Sequence, residues 1–231
     1  YALRRAGNGL LQILWERGWQ LDLQHLLSRS TAHWAALLPH FKVDAPALAA
    51  ELGEFLRQRL QSLLEESGVD GDVVQAVAGP GVALERVICD PFDARQRAEL
   101  LRSLRRSGEL AAVQAVVTRA ARLAEKGDLE PSVLSPVGVV DPALFEKNSE
   151  AGMLAVLNAL EPIATGNGAA RYAELARGLS SGTAALAAFF DGDQSVMVMA
   201  DDLAVRRNRL NLLAVLRNQA GVLADFSSLS G

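Results

Sequence analysis

Helical periodicity runs through almost the whole chain, and strict apolar–polar alternation is almost absent. Leu48, Leu52, Phe55, Leu56, Leu60, Leu63 and Leu64 recur at helical spacing after Asp44 and Pro46, a capping residue followed by a first-turn proline. Similar stripes predict helices up to Gly18, from Leu21 to Leu38, from Asp70 to Ala78 and from Val82 to Cys89. Further helices are expected from Asp93 to Arg106, from Glu109 to Lys126, from Ser149 to Leu160 and from Asp201 to Leu223. Between Leu160 and Asp201 the spacing predicts two short helices, Ala169–Arg177 with Asn167 as its cap and Ala184–Phe190 after Thr183. Pro131 and Pro136 make Leu129–Val140 an extended connector, because proline removes a donor and clashes with the preceding turn. Val196-Met197-Val198-Met199 is the one β-like run, and with no second strand to pair with it should be an apolar loop buried against helices. The expectation is an all-α helical bundle, divided near Pro39–Pro46 into residues 1–43, the tail of a preceding domain, and 44–231, one helical unit.

The chain starts at Tyr1 and enters an amphipathic pattern at once, which reads as a piece of a longer protein. Its apolar stretches stop short of the roughly 18 residues a membrane span needs, and no basic-then-apolar leader is visible. A lone cysteine, Cys89, excludes an internal disulfide and suits a reducing cytoplasm. The chemistry of an enzyme is missing: His25 and His33 share a helix face without a third metal ligand, Cys89 has no histidine beside it, and no glycine-rich phosphate loop occurs. No catalytic residue, metal site or cofactor is expected in this chain.

Net charge is −4, which argues against indiscriminate nucleic-acid binding, but the charge is uneven. From Arg95 to Arg122 there are seven arginines against two glutamates. Screening confines such a field to about 8–10 Å, so a local anion-binding face can survive on an acidic protein. Arg119 and Arg122 stand one turn apart opposite the apolar face of Val113, Val116, Val117, Ala120 and Leu123. They are either a solvated basic stripe or contacts for RNA phosphates and bases. In the last helix Arg206 and Arg209 share one face and Arg207 and Asn211 another, among leucines on both sides. A partly buried arginine needs a partner, so a structural clamp from Arg206 and Arg209 to Asp201, Asp202 or Asp225 competes with RNA contact.

Phe189-Phe190-Asp191, Val196-Met197-Val198-Met199-Ala200-Asp201, Arg206-Arg207-Asn208-Arg209-Leu210-Asn211-Leu212-Leu213 and Ala224-Asp225-Phe226-Ser227-Ser228-Leu229 together closely resemble the C-terminus of the β subunit of bacterial glycyl-tRNA synthetases. Asp141-Pro142-Ala143-Leu144-Phe145 with Glu150, and the opening Tyr1-Ala2-Leu3-Arg4-Arg5-Ala6-Gly7, are similar to upstream blocks of that family. Many members carry Lys-Arg-x-x-Asn-Ile where this chain has Thr118 to Leu123, so that only Arg119 matches there. The resemblance implies that residues 1–43 close an HD-like domain and that 44–231 form a DALR-like domain binding the tRNA(Gly) anticodon stem-loop. For such a tRNA-binding module the candidate RNA contacts are Arg119, Arg122, Arg105, Arg106, Arg207 and Asn208. The resemblance also implies ATP and Mg use by a separate α subunit, a heterotetramer of α with β, and a cytoplasmic setting. The competing expectation is an assembly domain that docks on the rest of the synthetase with little RNA contact.

Overall fold

The computed structural model describes residues 2–168 and 170–230; within them the chain is all-α, and it divides into two compact units, residues 1–102 and 103–231. That division falls inside a helix. In the first unit run α1 (Ala2–Arg17), α2 (Leu23–Leu37), α3 (Ala45–Glu66), α4 (Gly71–Ala78), α5 (Leu84–Cys89) and most of α6 (Pro91–Ser107). The second holds α7 (Leu110–Ala124), α8 (Asn148–Thr165), α9 (Arg171–Ala188) and α10 (Leu203–Gly221). Among the described residues no helix is long and apolar enough to cross a membrane.

Local chemistry sets the helix ends. Asp22 accepts from His25 N at 2.8 Å and starts α2, and Asp44 accepts from Ala47 N at 3.1 Å and starts α3. Gly18 and Gly68 follow α1 and α3 with positive φ, a region where only glycine is comfortable. The cap of α6 is Asp90, which accepts from Phe92 N and Asp93 N, so the helix begins at Pro91, earlier than the expected cap at Asp93.

α3 organises the first unit. Ala49, Gly53, Leu56, Leu60, Leu63 and Leu64 line its buried face, and a side chain on Gly53 would meet Ile88 and Leu84 of α5 at 3.0 and 3.1 Å. Arg57 lies among them, buried, and its Nη1 donates to the carbonyls of Gly79 (2.8 Å) and Val82 (3.0 Å), which fixes the Gly79-Pro80-Gly81 turn. Trp15 Nε1 donates to Pro91 O at 2.8 Å and ties α1 to the start of α6.

In the second unit α8 packs on α9, and α10 packs on both α7 and α8. α9 runs unbroken to Ala188, where the sequence predicted two short helices. The gap expected between them holds Gly178 and Gly182, which lie one turn apart on the side of α9 that faces α8. A Cβ on Gly178 would sit 2.6 Å from Leu160 Cδ2, and one on Gly182 would sit 2.7 Å from Val156 Cγ1. Valine at position 156 is stiff about χ1 and cannot swing aside. Gly182→Val should therefore lower stability by about 1–3 kcal/mol through overpacking, read from denaturant midpoints at unchanged m-value. The expected start of this helix at Ala169 lies outside the described residues, as does Tyr1; the residue before α9 is Ala170, so Asn167 is not its cap. α8 also runs five residues past Leu160, carrying Pro162 inside its last turns.

α10 is buried on most of its circumference, polar residues included. Those residues hold the connector between α7 and α8 by its main chain. Asn218 Nδ2 donates to the carbonyls of Glu130 (2.8 Å) and Val133 (2.9 Å), and Gln219 Nε2 to those of Leu134 (2.8 Å) and Leu157 (3.0 Å). Asn211 Nδ2 donates to Val139 O at 2.6 Å. Asn208 both donates to Asp141 O (3.0 Å) and accepts from Asp141 N (2.7 Å), as a neighbouring strand would. Arg217 Nη2 reaches Leu129 O at 3.1 Å. From Leu134 to Asp141 the connector thus runs antiparallel to α10, and along its length carbonyls are satisfied by side-chain amides and the Arg217 guanidinium instead of a sheet.

Candidate nucleic-acid interface

The arginine-rich stretch from Arg95 to Arg122 separates into interior and surface groups. Arg97 is buried with Nε 2.8 Å from Asp93, Arg95 pairs with Glu99 and lies over the Trp15 ring, and Arg102 Nη1 donates to Ser67 O at the end of α3. Arg105 is half-buried and already engaged in a polar or electrostatic contact. Arg106, Arg119 and Arg122 are exposed.

α7 places Arg119 where α9 ends. Its Nη1 lies 2.9 Å from both carboxylate oxygens of Asp191, and the guanidinium sits over the Phe190 ring at 4.6 Å from the centroid. The pair is open to water, with side chains 49% and 68% exposed. On the same helix Gln114 and Thr118 donate to the carbonyls of Leu229 and Phe226, and hold the C-terminal turn. Sequence reasoning did not assign Phe190 and Asp191 a part in this site, although both belong to the Phe-Phe-Asp block.

α10 splits its basic residues differently from the sequence expectation. Arg207 is exposed, 3.5 Å from the exposed Asp128. Asn208 is 4% exposed, its amide committed to Asp141, so it is withdrawn as an RNA contact. Arg209 is buried in a clamp: Nε donates to Glu150 Oε1 at 2.8 Å, Nη2 to Glu146 Oε2 at 2.7 Å and Nη1 to Met197 O at 3.0 Å. Arg206 Nε donates to Ala200 O at 2.8 Å. The clamps exist, but not to Asp201, Asp202 or Asp225. Asp202 caps α10 by accepting from Ala204 N and Val205 N, and Asp225 accepts from Ser227 and Ser228 in the last turn.

Burial alone would raise the Glu150 carboxyl, but Arg209 and the amides of Glu146 and Lys147 outweigh it and hold it below the ordinary glutamate value. Burial likewise opposes the charge on Arg209, and Glu150 and Glu146 overcome it, so that its pKa is raised. Arg209 also holds the backbone of the Val196–Met199 loop at Met197, and Arg206 holds Ala200 just after it. The loop is less buried than its sequence predicted: Val198 is enclosed, whereas Met197 is 73% exposed and Met199 is exposed as well.

His25 and His33 are exposed on α2, and among the described residues no three His, Cys, Asp or Glu side chains cluster to hold a metal. Burial, with Asp22 beside it, pushes the Cys89 thiol up, which favours the unreactive protonated form.

The surface arginines belong to a chain with clear relatives. A family model described as glycyl-tRNA synthetase beta subunit matches residues 1–79. The chain is 43% identical to the glycine--tRNA ligase beta subunit of Acaryochloris marina over 232 residues, covering 99% of this chain and 32% of that protein. It is 41% identical to that of a Picosynechococcus species (99% and 32% covered) and 35% identical to that of Vibrio cholerae (99% and 31%). It therefore spans about a third of the length of these relatives. Similarity along almost its full length, the matching family model and the all-helical architecture agree: the chain belongs to the glycyl-tRNA synthetase beta-subunit family, as its C-terminal region.

Proposed function

We propose that residues 103–231 present a tRNA-binding surface, directed at the anticodon stem-loop of tRNA(Gly), to a glycine--tRNA ligase. The supporting observation is how the arginines are sorted. Arg209 is spent inside the fold, while Arg106, Arg119, Arg122 and Arg207 remain at the surface, two of them in pairs whose acidic partners are also exposed. Exposed pairs of this kind are worth only about 0–1 kcal/mol, so a phosphate can compete for the guanidinium. Arginine forks onto phosphate and stacks on bases, the two contacts a splayed RNA loop offers. On this reading ATP, Mg and glycine activation belong to an α subunit, and aminoacylation needs that subunit with the rest of β.

The test is tRNA(Gly) binding measured across a salt series. Each of Arg106→Ala and Arg122→Ala should weaken binding and flatten the plot of log affinity against log salt by about 0.7–0.9. An Arg119→Glu/Arg122→Glu chain that binds with the wild-type slope would remove this surface from consideration.

A second reading, an assembly domain, has its own support. Of the twelve exposed large hydrophobic residues among those described, eight lie between Leu3 and Phe41, and Met197 and Leu203 protrude from the second unit. Large apolar exposure marks surfaces that a partner covers, and the relatives supply about two further thirds of chain. An assembly domain would bind tRNA(Gly) and an unrelated tRNA equally weakly in a gel shift.

A further inference from the structure

The Arg119, Phe190 and Asp191 cluster holds more than a surface ion pair. Asp191 takes only Nη1 of the guanidinium, and among the described residues Arg119 makes no other hydrogen bond, which leaves the Nε–Nη2 edge without a protein partner on a side chain that is 49% exposed. That edge presents two parallel N–H donors, the geometry that takes two phosphate oxygens at once. The Phe190 ring underneath holds the guanidinium plane in place. We propose that Arg119 on Phe190 is a phosphate subsite for RNA, and that Asp191 is a built-in attenuator that keeps its affinity low. This rests on the tRNA-binding reading given above.

Magnitudes decide the sign of Asp191's effect. Its carboxylate neutralises Arg119 at contact distance, and a phosphate on the open edge would lie about 6–7 Å from that negative charge. Repulsion at this distance in a watery environment is about 0.6 kcal/mol, and more where the surface lowers the local dielectric. The opposing effect is the loss of orientation when Asp191 lets go. It is small because the stack on Phe190 remains, and because an asparagine oxygen can still accept from Nη1. Removing the charge should therefore tighten binding, a gain that damage to the fold does not produce.

The experiment uses the whole 231-residue chain and a tRNA(Gly) transcript, with affinity measured over a salt series. Asp191→Asn should bind about two- to fivefold more tightly, because a competing exposed pair is removed. Its salt dependence should steepen by about 0.7 log units per log unit of salt, one more effective cation on single-stranded RNA. Asp193→Asn removes the same charge two residues away and should give a clearly smaller gain. In an Arg119→Ala background, Asp191→Asn should add nothing beyond that neighbouring effect. Equal gains from Asp191→Asn and Asp193→Asn, or a gain that survives without Arg119, would overturn the attenuator. Failure of every form, wild type included, to bind would overturn the tRNA-binding reading and the attenuator with it, an outcome distinct from normal binding by an indifferent Asp191→Asn.

Discussion

Arg209→Met should destabilise the second unit by about 3–5 kcal/mol, the usual cost of breaking a buried ion pair by removing one partner. Methionine fills much of the volume, so the loss is electrostatic: Glu150, which has no exposed surface, would be left charged without its cation, and Met197 O without its donor. Chemical denaturation followed by circular dichroism reads this directly. The pH dependence carries a second signature. Because Glu150 is depressed in the folded state, its contribution is complete above the unfolded glutamate value of about 4.3 and is lost as pH falls through the lower folded value. The gap between wild type and Arg209→Met should thus be widest near neutrality and narrow in acid. A gap of constant size across pH 3–7 would mean that lost packing, not the ion pair, explains the defect.

Arg57→Met should cost about 2–4 kcal/mol in the first unit, since two buried carbonyls, those of Gly79 and Val82, lose a charged donor together. The effect is local. Hydrogen exchange should quicken in residues 79–82 and at the start of α5, while α7 to α10 keep their protection. Arg57→Lys should recover little, because an ammonium at the end of a flexible stem does not bridge two carbonyls as a planar guanidinium does.

The sequence was most legible where the signal is local. Asp44 and Gly18, both read from the sequence, set the start of α3 and the end of α1 through a cap and a left-handed turn that act within a few residues. Reading failed where a residue answers to a distant neighbour. Two short helices were expected on either side of Gly178–Thr183, and only the approach of Leu160 and Val156 shows that Gly178 and Gly182 make room for α8 within one helix. Asn208 was expected to contact RNA, but its partner lies 67 residues away in the connector. Asp202 and Asp225 are occupied with helix ends, and the clamp on Arg209 comes from Glu146 and Glu150, some sixty residues upstream. At the candidate interface, Arg106, Arg119, Arg122 and Arg207 are exposed. Phe190 and Asp191 could not be placed beside Arg119 without knowing that α9 is one continuous helix.

The way α10 grips the connector limits how this stretch can change over time. Its grip reads carbonyl groups, which every amino acid supplies, and one N–H, which all but proline supply, so the water-facing residues of 129–141 can change identity, apart from Gly138 with its positive φ and Asp141, which caps the next turn. Their number cannot. One inserted or deleted residue would carry the carbonyls beyond it out of reach of their donors, so variation here is permitted in spelling but not in count.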